Sequence, residues 1–107
     1  MKNTNPHKDS NNPFRQSIWI SSPSHAWLAV PRELLKRYEL EQSISSYSYQ
    51  GAHPDGTQVV FLEEDCDATK LINTVGVWKF KIAEGNGWIK EISVNDNYFD
   101  RVESYRV

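Results

Sequence analysis

The sequence has a single cysteine, no long apolar run and no large excess of either charge, and each shortage excludes a class of protein. Cys66 alone cannot build an internal disulfide framework or a cysteine-rich zinc site. The net charge of -2 does not favour non-specific binding to nucleic acid. No apolar run approaches the roughly 20 residues that a membrane-spanning helix needs. We therefore expect a cytoplasmic protein without a membrane segment.

The N-terminal segment differs in composition from the rest of the chain. Residues 1–16 are polar, rich in asparagine and interrupted by Pro6 and Pro13, and they lack the apolar core of a secretory signal. We interpret them as a flexible arm, followed by a single domain at residues 17–107. Aromatic residues make up 12% of the chain, and their large side chains can fill a core although the hydrophobic fraction is only 38%.

Apolar patterns predict an α+β fold: a small domain with a mostly antiparallel sheet of about five strands and two or three short helices. Strands are expected at residues 18–20, 25–30, 44–50 and 58–62, and a hairpin at residues 77–94. Pro31 suits the start of a short helix. Residues 98–107 fit a helix or an edge strand, and we favour the helix.

The second helix has the clearest pattern. Its apolar residues recur at i, i+3, i+4 and i+7: Ala68, Leu71, Ile72 and Val75. Asp67 precedes them as the expected N-cap, and Gly76 follows them as the expected stop.

Acidic residues crowd the start of this helix. They surround the cysteine in the run Glu63, Glu64, Asp65, Cys66 and Asp67. Three interpretations compete: acids that stabilise a helix N-terminus, a cation site, and a catalytic thiol. The calcium-loop pattern fails at Lys70, where that loop needs glycine, and a catalytic thiol needs a base such as His25 or His53. We favour the first interpretation and expect Cys66 to be a small buried residue.

Aromatic residues exceed what a small core needs, and tyrosine and tryptophan often anchor protein interfaces. The chain has no glycine-rich phosphate loop, no nucleophile elbow and no histidine pair at metal spacing, so we assign no catalytic or metal-binding residue and expect no cofactor. We therefore predict a non-enzymatic protein that binds another protein. The predicted partner-binding residues are Tyr47, Tyr49, Glu63, Glu64 and Asp65.

Three stretches carry a resemblance to a set of small bacterial and phage proteins. They are HAWLAVPRELL at residues 25–35, ISSYSYQ at residues 44–50 and LEEDCDA at residues 62–68. No activity is known to us for the set, so the resemblance implies no catalytic residues. It implies an origin in a phage or mobile element and action on a host protein.

A more local resemblance suggests an alternative. AVPRELLKRYELEQSIS, with Asp55 and Gly56 before VVFL, resembles the opening of AbrB/MazE-like swapped-hairpin proteins, which implies a dimeric DNA-binding regulator. The first strand, HAWLAV, lacks the lysine and arginine that such proteins place there, so nucleic acid is less favoured than a protein partner. A further alternative is a metal-dependent hydrolase that uses the acidic run at residues 63–67.

Overall fold

A six-stranded mixed sheet organises residues 17–52, 54–76 and 90–107, which the computed structural model describes. The strands are β1 (Ile18–Ser21), β2 (Ala26–Pro31), β3 (Tyr49–Ala52), β4 (Gln58–Glu63), β5 (Lys90–Ser93) and β6 (Glu103–Ser104). Their order is β5-β1-β2-β4-β3-β6. The chain thus has an α+β fold, but the expected five-stranded sheet is corrected to six strands. The sheet is mixed because β5 pairs parallel to β1, whereas the other pairs are antiparallel.

The centre of the sheet is formed by β2 and β4. Every residue of β2 is buried. β4 lies between β2 and β3, as its apolar residues on both faces predicted. The turn between β1 and β2 is held by the Ser22 N–H, which donates to the His25 carbonyl at 2.8 Å.

Two helices pack beside the sheet. Helix α1 (Arg32–Arg37) begins directly after Pro31, which is its N-cap residue. A π-helical turn (Glu64–Ala68) leads without a break into α2 (Thr69–Val75). Gly76 ends α2 as predicted: its φ is 90°, a value that favours glycine, and its N–H donates to the Ile72 carbonyl at 2.7 Å.

Strand alternation gives the sheet two different apolar faces. The first, which we call the helix face, packs against α1 and α2 and joins ten buried residues in one cluster: Leu28, Val30, Leu34, Leu35, Ile44, Val60, Leu62, Ala68, Leu71 and Tyr105. The second, which we call the turn face, carries the buried cluster of Ile20, Trp27, Ala29, Val59 and Phe99. Val94 and Val102, from the turn that follows β5, pack against this second cluster.

Two expected elements are wrong. Of the predicted strand at 44–50, only Tyr49 and Gln50 belong to β3; a 3-10 helix (Glu41–Ser43) and a loop at residues 44–48 precede it. The helix favoured at 98–107 is replaced by turns and the edge strand β6, because the Tyr105 hydroxyl donates to the Glu41 carbonyl and its N–H to the Ser48 carbonyl. Residues 1–16, residues 77–89 of the predicted hairpin, and His53 lie outside the described residues.

Candidate functional site

A concave groove opens on the turn face, where β2 begins and β4 ends. Its volume is about 320 Å³, and its lining combines aromatic rings, two carboxylates and a thiol: His25, Trp27, Tyr47, Tyr49, Glu63, Asp65 and Cys66. Among the described residues, no lysine or arginine lines it. We call it the aromatic-acidic groove. It brings together four of the five predicted partner-binding residues, whereas Glu64 is exposed and is not part of the lining.

Strand register positions one wall of this groove. Trp27 on β2 is the direct partner of Glu63 on β4, so the two side chains lie side by side on the turn face. Tyr49 pairs with Phe61, two residues before Glu63, and therefore lies on the same face. Sequence reasoning did not assign His25, Trp27 and Cys66 to this site. The signal that could have placed the first two is their i, i+2 spacing at the start of one strand.

The opposite wall is the π-helical turn. Glu63, not Asp67, is its N-cap: the Glu63 Oε1 accepts a hydrogen bond from the Cys66 N–H at 3.0 Å. The Thr69 hydroxyl donates to the Glu64 carbonyl, five residues back, at 3.1 Å. π-Helical turns are rare and occur often at functional sites. Here the turn directs Asp65 and Cys66 into the groove.

Asp67, the predicted N-cap, is instead a buried anchor with 0% of its surface exposed. Its carboxylate accepts hydrogen bonds from the Ser45 N–H at 3.1 Å, the Ser45 hydroxyl at 2.6 Å and the Ser48 hydroxyl, and from the Lys70 ammonium at 3.1 Å. Burial alone would raise the pKa of Asp67, but hydrogen bonds from Ser45, Ser48 and Lys70 together outweigh it and hold that pKa below its ordinary value.

This anchor positions Tyr47. The Ser48 hydroxyl donates to Asp67 and accepts from the Glu63 N–H at 3.0 Å, which ties the loop at 44–48 to both the end of β4 and the helix. The Tyr47 N–H donates to the Ser45 hydroxyl at 3.2 Å, while 70% of the Tyr47 surface stays exposed. Asp67 therefore anchors the loop that carries Tyr47 into the lining of the groove.

Phe99 supports the groove from below. Its ring is stacked on Tyr49, with centroids 4.8 Å apart and planes 6° apart, and it is tilted against Trp27 at 4.3 Å. These contacts hold the two lining rings in fixed positions. The buried Trp27 Nε1 has no hydrogen-bond partner among the residues that the structure describes, and leaving such a donor unpaired costs about 1–3 kcal/mol.

Cys66 is exposed, which corrects the expectation that it would be buried. Desolvation, followed by the negative charges of Glu63 and Asp67, raises the pKa of the Cys66 thiol above its ordinary value. A thiolate is the reactive form of cysteine, so this setting disfavours a nucleophilic role at neutral pH.

The acids of the described residues do not converge on a cation. No group of three or more histidine, cysteine, aspartate or glutamate side chains in this part of the chain could hold a metal ion. Asp67 is occupied by serine and lysine donors. Asp96, in the turn after β5, is likewise engaged, since it accepts hydrogen bonds from the Ser24 N–H and hydroxyl at 3.1 Å each.

Comparisons with protein-family models, curated proteins and solved structures found no match to this chain. Within residues 17–52, 54–76 and 90–107, no helix has the length and apolar character to cross a membrane. The resemblances to bacterial and phage proteins and to swapped-hairpin proteins stay predictions.

Proposed function

We propose that this protein is a small non-enzymatic, cytoplasmic binding module that recognises another protein through the aromatic-acidic groove. The observation that carries the proposal is convergence: Tyr47, Asp65 and Trp27 come from a loop, a helical turn and a strand, yet all line one concave surface. Tyrosine and tryptophan anchors in a concave patch are typical of protein interfaces. Action on a host protein, in a phage or mobile-element setting, is the part of the proposal that rests on sequence resemblance.

Affinity capture with matched variants tests this function. We expect wild-type protein to retain a partner from bacterial lysate, and a Tyr47→Ala/Asp65→Asn double variant to lose at least about ten-fold of it, as for interface hot spots. The control is a Glu64→Gln variant, which removes an exposed acid outside the groove. Equal capture by all three proteins would contradict a role for the groove.

The described residues offer no comparable observation for the DNA-binding alternative. Arg32, from the stretch that resembles swapped-hairpin proteins, donates to the Glu41 carboxylate, the Gln50 side-chain carbonyl and the Arg106 backbone carbonyl. Arg37 is paired with Glu33 at 3.0 Å. Both guanidinium groups thus already have partners within the chain, whereas phosphate binding needs free cations.

A further inference from the structure

We propose that the aromatic-acidic groove binds the guanidinium group of an arginine side chain that the partner protein presents. This inference rests on the proposed function and specifies the chemistry of the partner. The groove carries negative charge, exposes an aromatic ring and retains hydrogen-bond acceptors on its carboxylates.

The negative charge of the groove is complementary to a cation. Glu63 and Asp65 line it, and no described lysine or arginine does. Lys70, one turn along the helix from Asp65, is directed elsewhere: its ammonium donates to the Ser43 carbonyl at 2.6 Å and to Asp67 at 3.1 Å. The negative charge is therefore not neutralised by the nearest basic residue in the sequence, and a cationic ligand is complementary to it.

The carboxylates also retain hydrogen-bond acceptors. Asp65 makes no hydrogen bond or ion pair with any residue that the structure describes. Glu63 uses one oxygen, Oε1, to cap the helical turn, and its other oxygen accepts no hydrogen bond from the described part of the chain. A ligand that carries several N–H donors can satisfy these oxygens, whereas a quaternary ammonium group, which has no N–H, cannot.

The rings provide faces for a flat cation. Tyr47 is 70% exposed and contacts no other ring among the described residues, so its face is open to a ligand. Tyr49 is stacked on Phe99, which fixes its orientation before a ligand arrives. A cation over an aromatic face contributes about 0.5–1 kcal/mol at an exposed site and about 2 kcal/mol when water is excluded.

Arginine fits these two requirements together better than lysine. Its planar guanidinium group can stack on a tyrosine ring while its N–H groups bind a carboxylate in a bidentate manner. Lysine presents a compact, strongly hydrated ammonium group that cannot stack. The combination of an exposed tyrosine ring with carboxylate oxygens that have no hydrogen bond within the described residues therefore favours guanidinium.

Titration followed by NMR of the full-length, ¹⁵N-labelled protein tests the inference directly. The probes are the Nα-acetyl methylamides of arginine, of lysine, and of citrulline, which is a neutral analogue of arginine. We expect saturable shifts at the amides of Tyr47, Asp65 and Cys66 with the arginine probe, with Kd of about 1–10 mM for so small a ligand. The lysine probe should bind more weakly, and the citrulline probe should cause no saturable shift. No response to arginine, or an equal response to citrulline, would overturn the inference.

Substitutions test whether the chemical-shift changes arise from binding in the groove. Asp65→Asn and Tyr47→Ala should each weaken binding of the arginine probe by about five-fold, since each removes one ionic or cation–π contact. Glu64→Gln lies on the same helical turn but outside the groove and should leave affinity unchanged. Thermal unfolding confirms that each variant is folded. If Glu64→Gln weakens binding as much as Asp65→Asn, a general negative potential binds the probe and the inference is wrong.

A competition experiment separates this inference from the proposed function. Excess arginine probe should release the captured partner from wild-type protein, whereas the citrulline probe should not. If groove variants abolish capture but arginine does not compete, the partner binds the groove by other chemistry. In that case the binding function stands and the arginine inference fails.

Discussion

The two faces of the sheet are buried from solvent to different degrees. On the helix face, the two helices cover aliphatic residues so completely that Leu28, Leu34, Leu35, Leu62 and Leu71 are each 0% exposed. The turn face is covered instead by the turn after β5. Residues of the turn face line both the aromatic-acidic groove and an apolar groove of about 270 Å³. The contrast indicates that the helix face is the more completely buried of the two, and under the proposed function the turn face provides the binding surface.

Phe99 contacts residues that line each of the two grooves of the turn face. Phe99 contacts Trp27 and Tyr49, which line the aromatic-acidic groove, and Phe61 and Tyr98, which line the apolar groove. A helix buries a stripe of side chains, whereas this turn buries mainly one ring. Part of the turn face therefore stays accessible, and both the aromatic-acidic groove and the apolar groove lie there.

We expect the largest loss of stability from a substitution on the helix face. Leu62→Ala removes a fully buried side chain from the centre of the cluster, and we expect a loss of about 2–5 kcal/mol in the free energy of unfolding. The matched change on the turn face, Ile92→Ala, removes a side chain that is 40% exposed and should cost less than about 1 kcal/mol. Urea unfolding followed by circular dichroism measures both. Similar losses at the two positions would contradict the contrast between the faces.

A smaller effect should come from Asp67, which ties the π-helical turn to the loop at residues 44–48. Asp67→Asn removes the charge that holds Ser45 and Ser48, and we expect a loss of about 1.5–3 kcal/mol at pH 7, as for hydrogen bonds to charged groups. Because folding lowers the pKa of Asp67, its contribution is fully present above its unfolded value of about 3.9. That contribution is lost as the pH falls through the lower, folded value.

The measurement for Asp67 is a series of urea unfolding curves at pH 7, 5 and 3. The difference between wild type and Asp67→Asn should be constant from pH 7 to 5 and smaller at pH 3. The exposed acid Glu64 provides the control, since Glu64→Gln should change stability by less than about 0.5 kcal/mol at each pH. A difference that grows on acidification would show that the sign of the pKa shift is wrong.

Asp67 also shows where sequence reasoning stops. The apolar face of α2 and its stop at Gly76 follow from local spacing and are confirmed. An acid before a helix is a common N-cap, so Asp67 was assigned that role. Besides Lys70, its partners are Ser45 and Ser48, which lie 22 and 19 residues away, and local patterns do not encode such distances. The sequence feature that could have indicated this contact is the pair of serines, Ser45 and Ser48, three residues apart in a polar stretch.

The sequence predicted several of the residues that line the groove, but it did not predict that they come together at one position in the fold. Tyr47, Tyr49, Glu63 and Asp65 were predicted from composition, but the register of Trp27 with Glu63 is what brings strand and helix residues together. Glu64 lies outside because adjacent helical residues point in different directions. The edge strand β6 likewise depends on a contact that spans 64 residues, from Tyr105 to Glu41.

The smallest expected effect concerns the reactivity of Cys66, which is exposed and yet disfavoured as a thiolate. Desolvation is the largest influence that raises the pKa of Cys66, and the charge of Glu63 is the next. Glu63→Gln keeps an oxygen that can cap the helical turn but removes the charge, so the thiol pKa should fall. We expect iodoacetamide to react about two- to three-fold faster at pH 8, because more thiolate is present. Glu64→Gln should leave the rate unchanged, and a slower reaction of Glu63→Gln would show that Glu63 does not suppress the thiolate.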